Sequence, residues 1–170
     1  MRPLCPKCTT EVVKPSGYAS SKILVIGESP GLDELKSGKP FVGGAGKILR
    51  SEMANAGLDL FRCRLINLWL HTPPKKTADN FEECFDAGMK VCLEEAKGKE
   101  AILLLGADTV QFFTGLSVSD VTGLQVDSNQ LSAPIIYACV NPAIVFHKNV
   151  GEVRFAINNF VSALTMEGVI

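Results

Sequence analysis

The sequence predicts an α/β protein, a three-layer αβα sandwich around a central, mostly parallel, four-stranded sheet. Three observations predict it. Four apolar runs, at 23–27, 64–70, 101–105 and 134–140, are continuous rather than alternating, as strands read when both faces are covered. Segments with helical periodicity, at 45–56, 81–97, 108–114 and 151–166, lie between and after these runs. With 170 residues, 46% of them hydrophobic and 21% charged, the chain suits one globular domain carrying at most a small appendage. An alternation of this kind places helices on both faces and the ligand site at the carboxyl ends of the strands.

Taken in order, residues 1–21 hold Cys5-Pro6-Lys7-Cys8 and a Pro-Ser-Gly stretch at 15–17, with too few apolar side chains for a core of their own. They form an arm on a single domain spanning 1–170. Ile23-Leu24-Val25-Ile26 begins the sheet and ends at Gly27. In 45–56, Ile48, Leu49 and Met53 share a stripe, and in 81–97 the apolar positions are Phe85, Met89, Val91 and Cys92. The last helix places Val153, Ile157, Phe160, Val161 and Leu164 at near-ideal amphipathic spacing.

Lys plus Arg total 17 against 18 Asp plus Glu, a formal charge of -1, so any nucleic-acid contact must come from a local basic patch. Lys39 and Lys47, with Lys36 and Arg50, flank the glycine-rich segment described next and are the candidates. No apolar run reaches the roughly 18 to 20 residues of a membrane span, and no secretory leader follows Met1, so a soluble cytoplasmic protein is expected.

The chemistry-bearing segments are Gly27-Glu28-Ser29-Pro30-Gly31, directly after the first strand, and Gly38-Lys39-Pro40-Phe41-Val42-Gly43-Gly44-Ala45-Gly46, leading into a helix. Glycines let a backbone approach a ligand, and a helix beginning near Ala45 offers N–H groups to an anion. The glycine spacing fits neither a Walker A loop nor a dinucleotide fingerprint. This pair resembles the uracil-DNA glycosylase superfamily, in particular its type 4, iron-sulfur branch. Three further landmarks follow in the family's order: Leu65-Ile66-Asn67, Leu104-Leu105-Gly106-Ala107 and Asn141-Pro142-Ala143.

The resemblance implies a DNA-repair glycosylase that flips uracil from single- or double-stranded DNA and hydrolyses its N-glycosidic bond, working as a monomer. Carried over, Glu28 positions the attacking water, Phe41 stacks on the extruded base and Asn67 reads its edge, with Gly27 and Ser29 lending backbone contacts. A base taken out of the stack needs a π face and paired donor and acceptor groups, which these residue types supply. Phe146, His147 and Lys148 fall in the family's wedge region, and Gly44 and Lys47 on its DNA side. One departure stands in the last motif, where Asn141 replaces the family's usual His. Asn donates a hydrogen bond but brings no charge, and losing a donor at such a site costs about 100- to 1000-fold in rate.

The cysteines depart as well. The resemblance implies a [4Fe-4S] cluster, with zinc as the alternative, and Cys5 and Cys8 match the family's first pair. At the third ligand position the chain reads Leu70-His71-Thr72-Pro73-Pro74, so His71 stands where a cysteine is expected, with Cys84 or Cys92 as the fourth; Cys5, Cys8, Cys84 and Cys92 would make an all-sulfur site, and His71 with three thiolates a mixed one. Cys63 and Cys139 sit in or beside buried runs and read as small apolar groups.

Plainer readings compete: Gly27–Gly31 as a tight strand-to-helix turn, Phe41 as core, Asn67 as a turn cap, His71 and His147 as loop histidines. The two substitutions, Asn141 and His71, also admit a catalytically weak or inactive DNA-binding module associated with replication proteins, or a hydrolase of another base or nucleotide.

Overall fold

A computed structural model of the chain describes residues 11–170. Cys5 and Cys8 lie outside the described residues. Four strands, β1 (Ile23–Gly27), β2 (Arg64–Asn67), β3 (Ala101–Leu105) and β4 (Ile135–Cys139), pair in the order β2-β1-β3-β4, every pair parallel. The expected sheet is therefore present and wholly parallel. Helices α1 (Leu32–Ser37), α2 (Gly44–Asn55), α3 (Phe81–Ala96), α4 (Ala107–Thr114), α5 (Val118–Val121) and α6 (Gly151–Met166) connect or follow the strands.

The side-chain period of two splits each strand between two cores. Val25, Leu65, Leu103 and Cys139 pack with Leu49 and Met53 of α2 and Ile157, Phe160 and Leu164 of α6. Leu24, Ile26, Ile66, Ile102 and Leu104 pack on the opposite face with Cys92 of α3 and Val110 and Phe113 of α4. Each strand residue from Ile23 to Gly27 and from Ala101 to Leu105 is buried, which is why these runs carry no polar alternation.

The stripe expected on α3 is corrected. Its buried positions are Cys84, Gly88, Cys92 and Ala96, while Phe85, Met89 and Val91 are only half-buried. A β-carbon at Gly88 would run into the Leu68 carbonyl, so this small-residue face exists to bring the helix close to the chain leaving β2. The short helices α1 and α5 were not foreseen, and β2 stops at Asn67 rather than running to 70. Beyond it, the Leu68 and Trp69 N–H groups donate to the carbonyls of Gly27 and Glu28, both at 2.8 Å, so the chain crosses over the end of β1.

The described part of the arm lies along the edge strand. Ser16 bridges Leu65 in the antiparallel sense, and the Val13 N–H donates to the Leu70 carbonyl at 2.7 Å. Arg64 ties it down, giving one hydrogen bond to the Gly17 carbonyl and two, each 2.8 Å, to the Glu95 carboxylate of α3. Lys99 donates to the carbonyls of Ala19 and Ser21. Among the described residues no helix is long and apolar enough to cross a membrane.

Candidate active site

The strand order makes a crevice. From β1 the chain crosses to β2 on one side, then returns to β3 on the other, so the loops after β1 and β3 part in opposite directions and leave an opening at their carboxyl ends. Glu28 follows β1 directly, and Gly106, Ala107 and Asp108 follow β3. The Asp108 N–H, at the start of α4, donates to Glu28 Oε1 at 2.8 Å. A carboxylate at a helix N-terminus satisfies N–H groups that have no partner within the helix. Gly106, at φ +94, is needed here: L side chains avoid that conformation, and a β-carbon would strike the Glu28 carboxylate.

Asn67 sits beside Gly27 in the β1–β2 register, so both end their strands at the same level. A β-carbon on Gly27 would lie 2.5 Å from Asn67 Oδ1 and 2.7 Å from Phe41 Cζ, which means the amide and the ring meet over the bare Cα of Gly27. Phe41 holds φ +57, an uncommon conformation for a bulky residue. Gly46 packs directly beneath its backbone, where a β-carbon would collide with the Phe41 carbonyl. Backbone strain is thus spent on aiming one aromatic ring.

Asn141 follows β4 and caps the 3-10 turn Pro142–Phe146, its Oδ1 accepting from the Ala143 N–H at 2.9 Å. That contact fixes the amide's orientation, because only the oxygen accepts. The Nδ2 therefore points back toward Glu28, 3.5 Å from its Oε2.

A cavity of about 210 Å³ is lined by Gly27, Glu28, Ser29, Phe41, Asn67 and Asn141 together, with Gly31, Glu34, Leu105 and Pro142 among the other walls. All six residues named from the sequence for catalysis or base binding share this hollow. Its volume is below the roughly 300 Å³ at which drug-sized pockets begin, which suits one small planar ring. Burial pushes the Glu28 carboxyl above the usual carboxylate range. The Asp108 and Ala107 N–H groups and the Asn141 amide pull it part of the way back.

Glu34 was missed from the sequence. Its carboxylate accepts from the N–H groups of Gly43 at 2.7 Å and Val42 at 3.0 Å, and from Gly31 at 3.1 Å, stapling the two glycine-bearing segments to each other. The anion expected near the start of α2 is thus, at the Val42 and Gly43 amides, the protein's own carboxylate. The signal lay three residues after Gly31, where a Glu at N3 of a helix reaches back to its N-cap N–H. Glu34→Ala leaves up to three amides without their acceptor, at about 1–3 kcal/mol for each that stays buried. Thermal unfolding is expected to fall by roughly 5–10 °C, with Glu34→Gln recovering much of it.

The outer residues are arranged around the rim. A β-carbon on Gly44 would touch Phe146 Cζ at 2.7 Å, so the start of α2 and the 3-10 turn meet there. Phe146 is 62% exposed, and Lys39, Lys47, His147 and Lys148 are exposed too. Arg50 lies over the Phe61 ring at 5.2 Å instead.

Of the candidate metal ligands, His71 and Cys84 are both buried around Trp69. His71 Nδ1 lies 2.7 Å from the Thr72 carbonyl. A carbonyl only accepts, so Nδ1 carries the proton of this contact, which fixes the orientation of the ring. Cys92 does not join them. It lies two helical turns further along α3, about 12 Å by helix rise, within the core on the sheet face. There its thiol contacts the Asn67 carbonyl at 3.5 Å, and burial pushes it up to about 12. Among the described residues no three His, Cys, Asp or Glu side chains are grouped closely enough to hold a metal ion. Cys63 and Cys139 are fully buried thiols, each pushed up to about 12 by burial, as expected of core residues.

An all-parallel αβα sheet thus carries an aromatic ring, a carboxamide and a half-buried carboxylate around one hollow at its switch point. The family model of the uracil DNA glycosylase superfamily matches residues 15–163, and the chain belongs to that superfamily. It is 30% identical over 159 residues to the type-4 uracil-DNA glycosylase of Archaeoglobus fulgidus, covering 85% of this chain and 79% of that one. To the type-4 uracil-DNA glycosylase of Thermotoga maritima it is 28% identical over 152 residues, covering 85% and 77% respectively.

Proposed function

We propose that the protein is a uracil-DNA glycosylase of the type 4 kind, acting on uracil swung out of a DNA strand into the 210 Å³ hollow. The observation that carries this is the meeting of Phe41, Asn67, Glu28 and Asn141 in one cavity. Phe41 offers a π face to the ring, and Asn67 offers both a donor and an acceptor to its Watson–Crick edge. Glu28 accepts a proton from the water that attacks C1′. The C1′–N1 bond breaks, its electron pair goes to the uracil ring, and Asn141 Nδ2 donates to the oxygen where that charge gathers. The proton taken up by Glu28 is returned through solvent to the uracil anion, and the products are free uracil and an abasic site. The test is incubation with a uracil-containing single-stranded oligonucleotide followed by alkaline cleavage, with a strand break at the uracil expected. No break with the intact chain contradicts the proposal.

Asn141 is the weak donor of the set. Asn141→His is expected to raise the rate, by up to the roughly 100-fold associated with one such hydrogen bond, read as single-turnover excision. A second reading, a DNA-binding module with little or no catalysis, is favoured by Asn141 and His71 standing where the family has His and Cys, and predicts tight DNA complexes without abasic product.

For the metal, the donor chemistry suits His71 and Cys84 as two of four ligands, with Cys5 and Cys8 as the others and Cys92 left out. An iron-sulfur cluster is the group the family resemblance favours, and zinc the alternative. Bound there, it supplies a cross-link between the arm and α3 rather than a reacting atom. In the purified chain, His71→Ala is expected to lower metal content and melting temperature, and Cys92→Ser to leave metal content unchanged, measured by elemental analysis. The reverse pattern would return Cys92 to the ligand set. A reducing, cytoplasmic setting fits these thiolate ligands, and a monomeric state is proposed with it.

A further inference from the structure

A second depression is walled in part by Trp69 and Asp108, both of which hydrogen-bond Glu28. It has a volume of about 360 Å³ and is walled by Trp69, Phe81, Phe85 and Phe112. The four rings form one stack of contacts: Trp69 to Phe81 at 5.1 Å, Trp69 to Phe85 at 5.4 Å, and Phe85 to Phe112 edge-on at 4.8 Å. Trp69 is the buried floor, whereas Phe81, Phe85 and Phe112 are half-buried and open to the groove. Such a surface is more than a helix needs to pack on a sheet.

The groove shares no lining residue with the uracil hollow, but two of its residues hydrogen-bond Glu28, which lines the hollow. Asp108 lines the groove, and the same residue's N–H holds Glu28 Oε1. Trp69 lines it, and its N–H donates to the Glu28 carbonyl. Two backbone hydrogen bonds therefore separate the carboxylate that faces the hollow from the aromatic floor of the groove. Its polar edge carries the Glu82 and Asp108 carboxylates, the Gln111 amide and, as the one cation among the described residues that line it, Lys76. Carboxylates repel phosphate but accept hydrogen bonds from the exocyclic amino groups of bases.

We infer that this groove seats the nucleobase adjacent to the uracil on the same DNA strand, stacked on the Phe81, Phe85 and Phe112 rings. The inference rests on the glycosylase reading and deepens it: the substrate is a strand with at least two bases unstacked, hence single-stranded or locally opened DNA. Stacking platforms beside a backbone track are how proteins hold single strands without reading sequence.

Trp69 is the chain's single tryptophan, so its emission, followed at constant metal content because His71 and Cys84 pack against it, reports on the floor of the groove. The experiment uses the full chain and three single-stranded oligonucleotides bearing one uracil: one intact, one with an abasic spacer 5′ to the uracil and one with the spacer 3′ to it. A spacer on one of the two sides is expected to raise KM by roughly 5- to 100-fold, the range that one stacked base contributes, with kcat little changed. The same spacer should abolish the change in Trp69 emission produced by the intact strand. Phe112→Leu, which keeps an apolar side chain but removes one of the three rings, should raise KM for the intact strand and shrink the further cost of the spacer. Equal KM and equal emission across the three strands, with uracil still released, would overturn the groove and leave the glycosylase reading standing. Neighbour-dependent binding and emission without abasic product would do the opposite. Failure to bind any of the strands would end both.

Discussion

Glu28→Gln is expected to slow uracil release by about 10²- to 10⁴-fold, the range that a positioned general base contributes, in a protein that still folds and still binds DNA. Glutamine is nearly isosteric, and its oxygen can go on accepting from the Asp108 N–H, so the α4 terminus keeps its partner. What disappears is the capacity to take the water's proton. Burial already holds this carboxyl above the usual range, and the ionised form is the base. The rate of the intact chain should therefore fall as pH drops through that raised value, with an acid limb above the pKa of ~4.3 of an exposed glutamate. The variant should lack this limb.

The stability effect has the opposite sign. A carboxyl whose pKa is raised by folding binds its proton more tightly in the folded state than in the unfolded one. Ionising it therefore costs stability as pH rises between the unfolded and folded values. At neutral pH, Glu28→Gln removes that cost, and the melting temperature is expected to stay level or rise slightly. Loss of activity with gain of stability is the signature of a group held for chemistry.

Gly27→Ala is expected to reduce uracil release by about 100-fold or more, the penalty that a misplacement near 1 Å carries at a reacting centre. The added methyl would sit 2.5 Å from Asn67 Oδ1 and 2.7 Å from Phe41 Cζ, inside the contact distance of each. Neither can yield freely: Asn67 is buried at the end of β2, and Phe41 is fixed in its positive-φ conformation over Gly46. Overpacking of this kind also costs about 1–3 kcal/mol of stability, so the melting temperature should drop as well. Activity measured well below the new transition separates the two effects. An active Gly27→Ala protein would mean that the ring and the amide do not need to meet.

Much of this was legible because the signals were local. Ile23–Gly27 and Ala101–Leu105 are covered on both faces, so continuous apolar runs identified them without ambiguity. Gly27, Glu28, Phe41, Asn67 and Asn141 each occupy a strand end or the glycine-rich turn, positions that topology carries to one edge of the sheet. What stayed hidden depends on distance in sequence. Glu34 looks like an ordinary charge on a short helix until Val42 and Gly43 fold back onto it. The α3 face misled because periodicity rewards large apolar residues, while close approach to the Leu68 carbonyl demands Gly88 and small neighbours. Cys92 entered as one of two alternative ligands through the family resemblance. Its burial beside the Asn67 carbonyl, on the sheet side of α3, depends on tertiary packing that the resemblance does not carry.

The most direct measurement of the central claim is single-turnover excision of uracil from a single-stranded oligonucleotide by the intact chain and by Asn67→Ala and Phe41→Ala, with free uracil as competitor. Abasic product from the intact chain, suppressed by free uracil and reduced by about 100-fold or more in each variant, is the predicted result. A stable DNA complex that yields no abasic product, or release of uracil that is indifferent to both substitutions, would contradict the account.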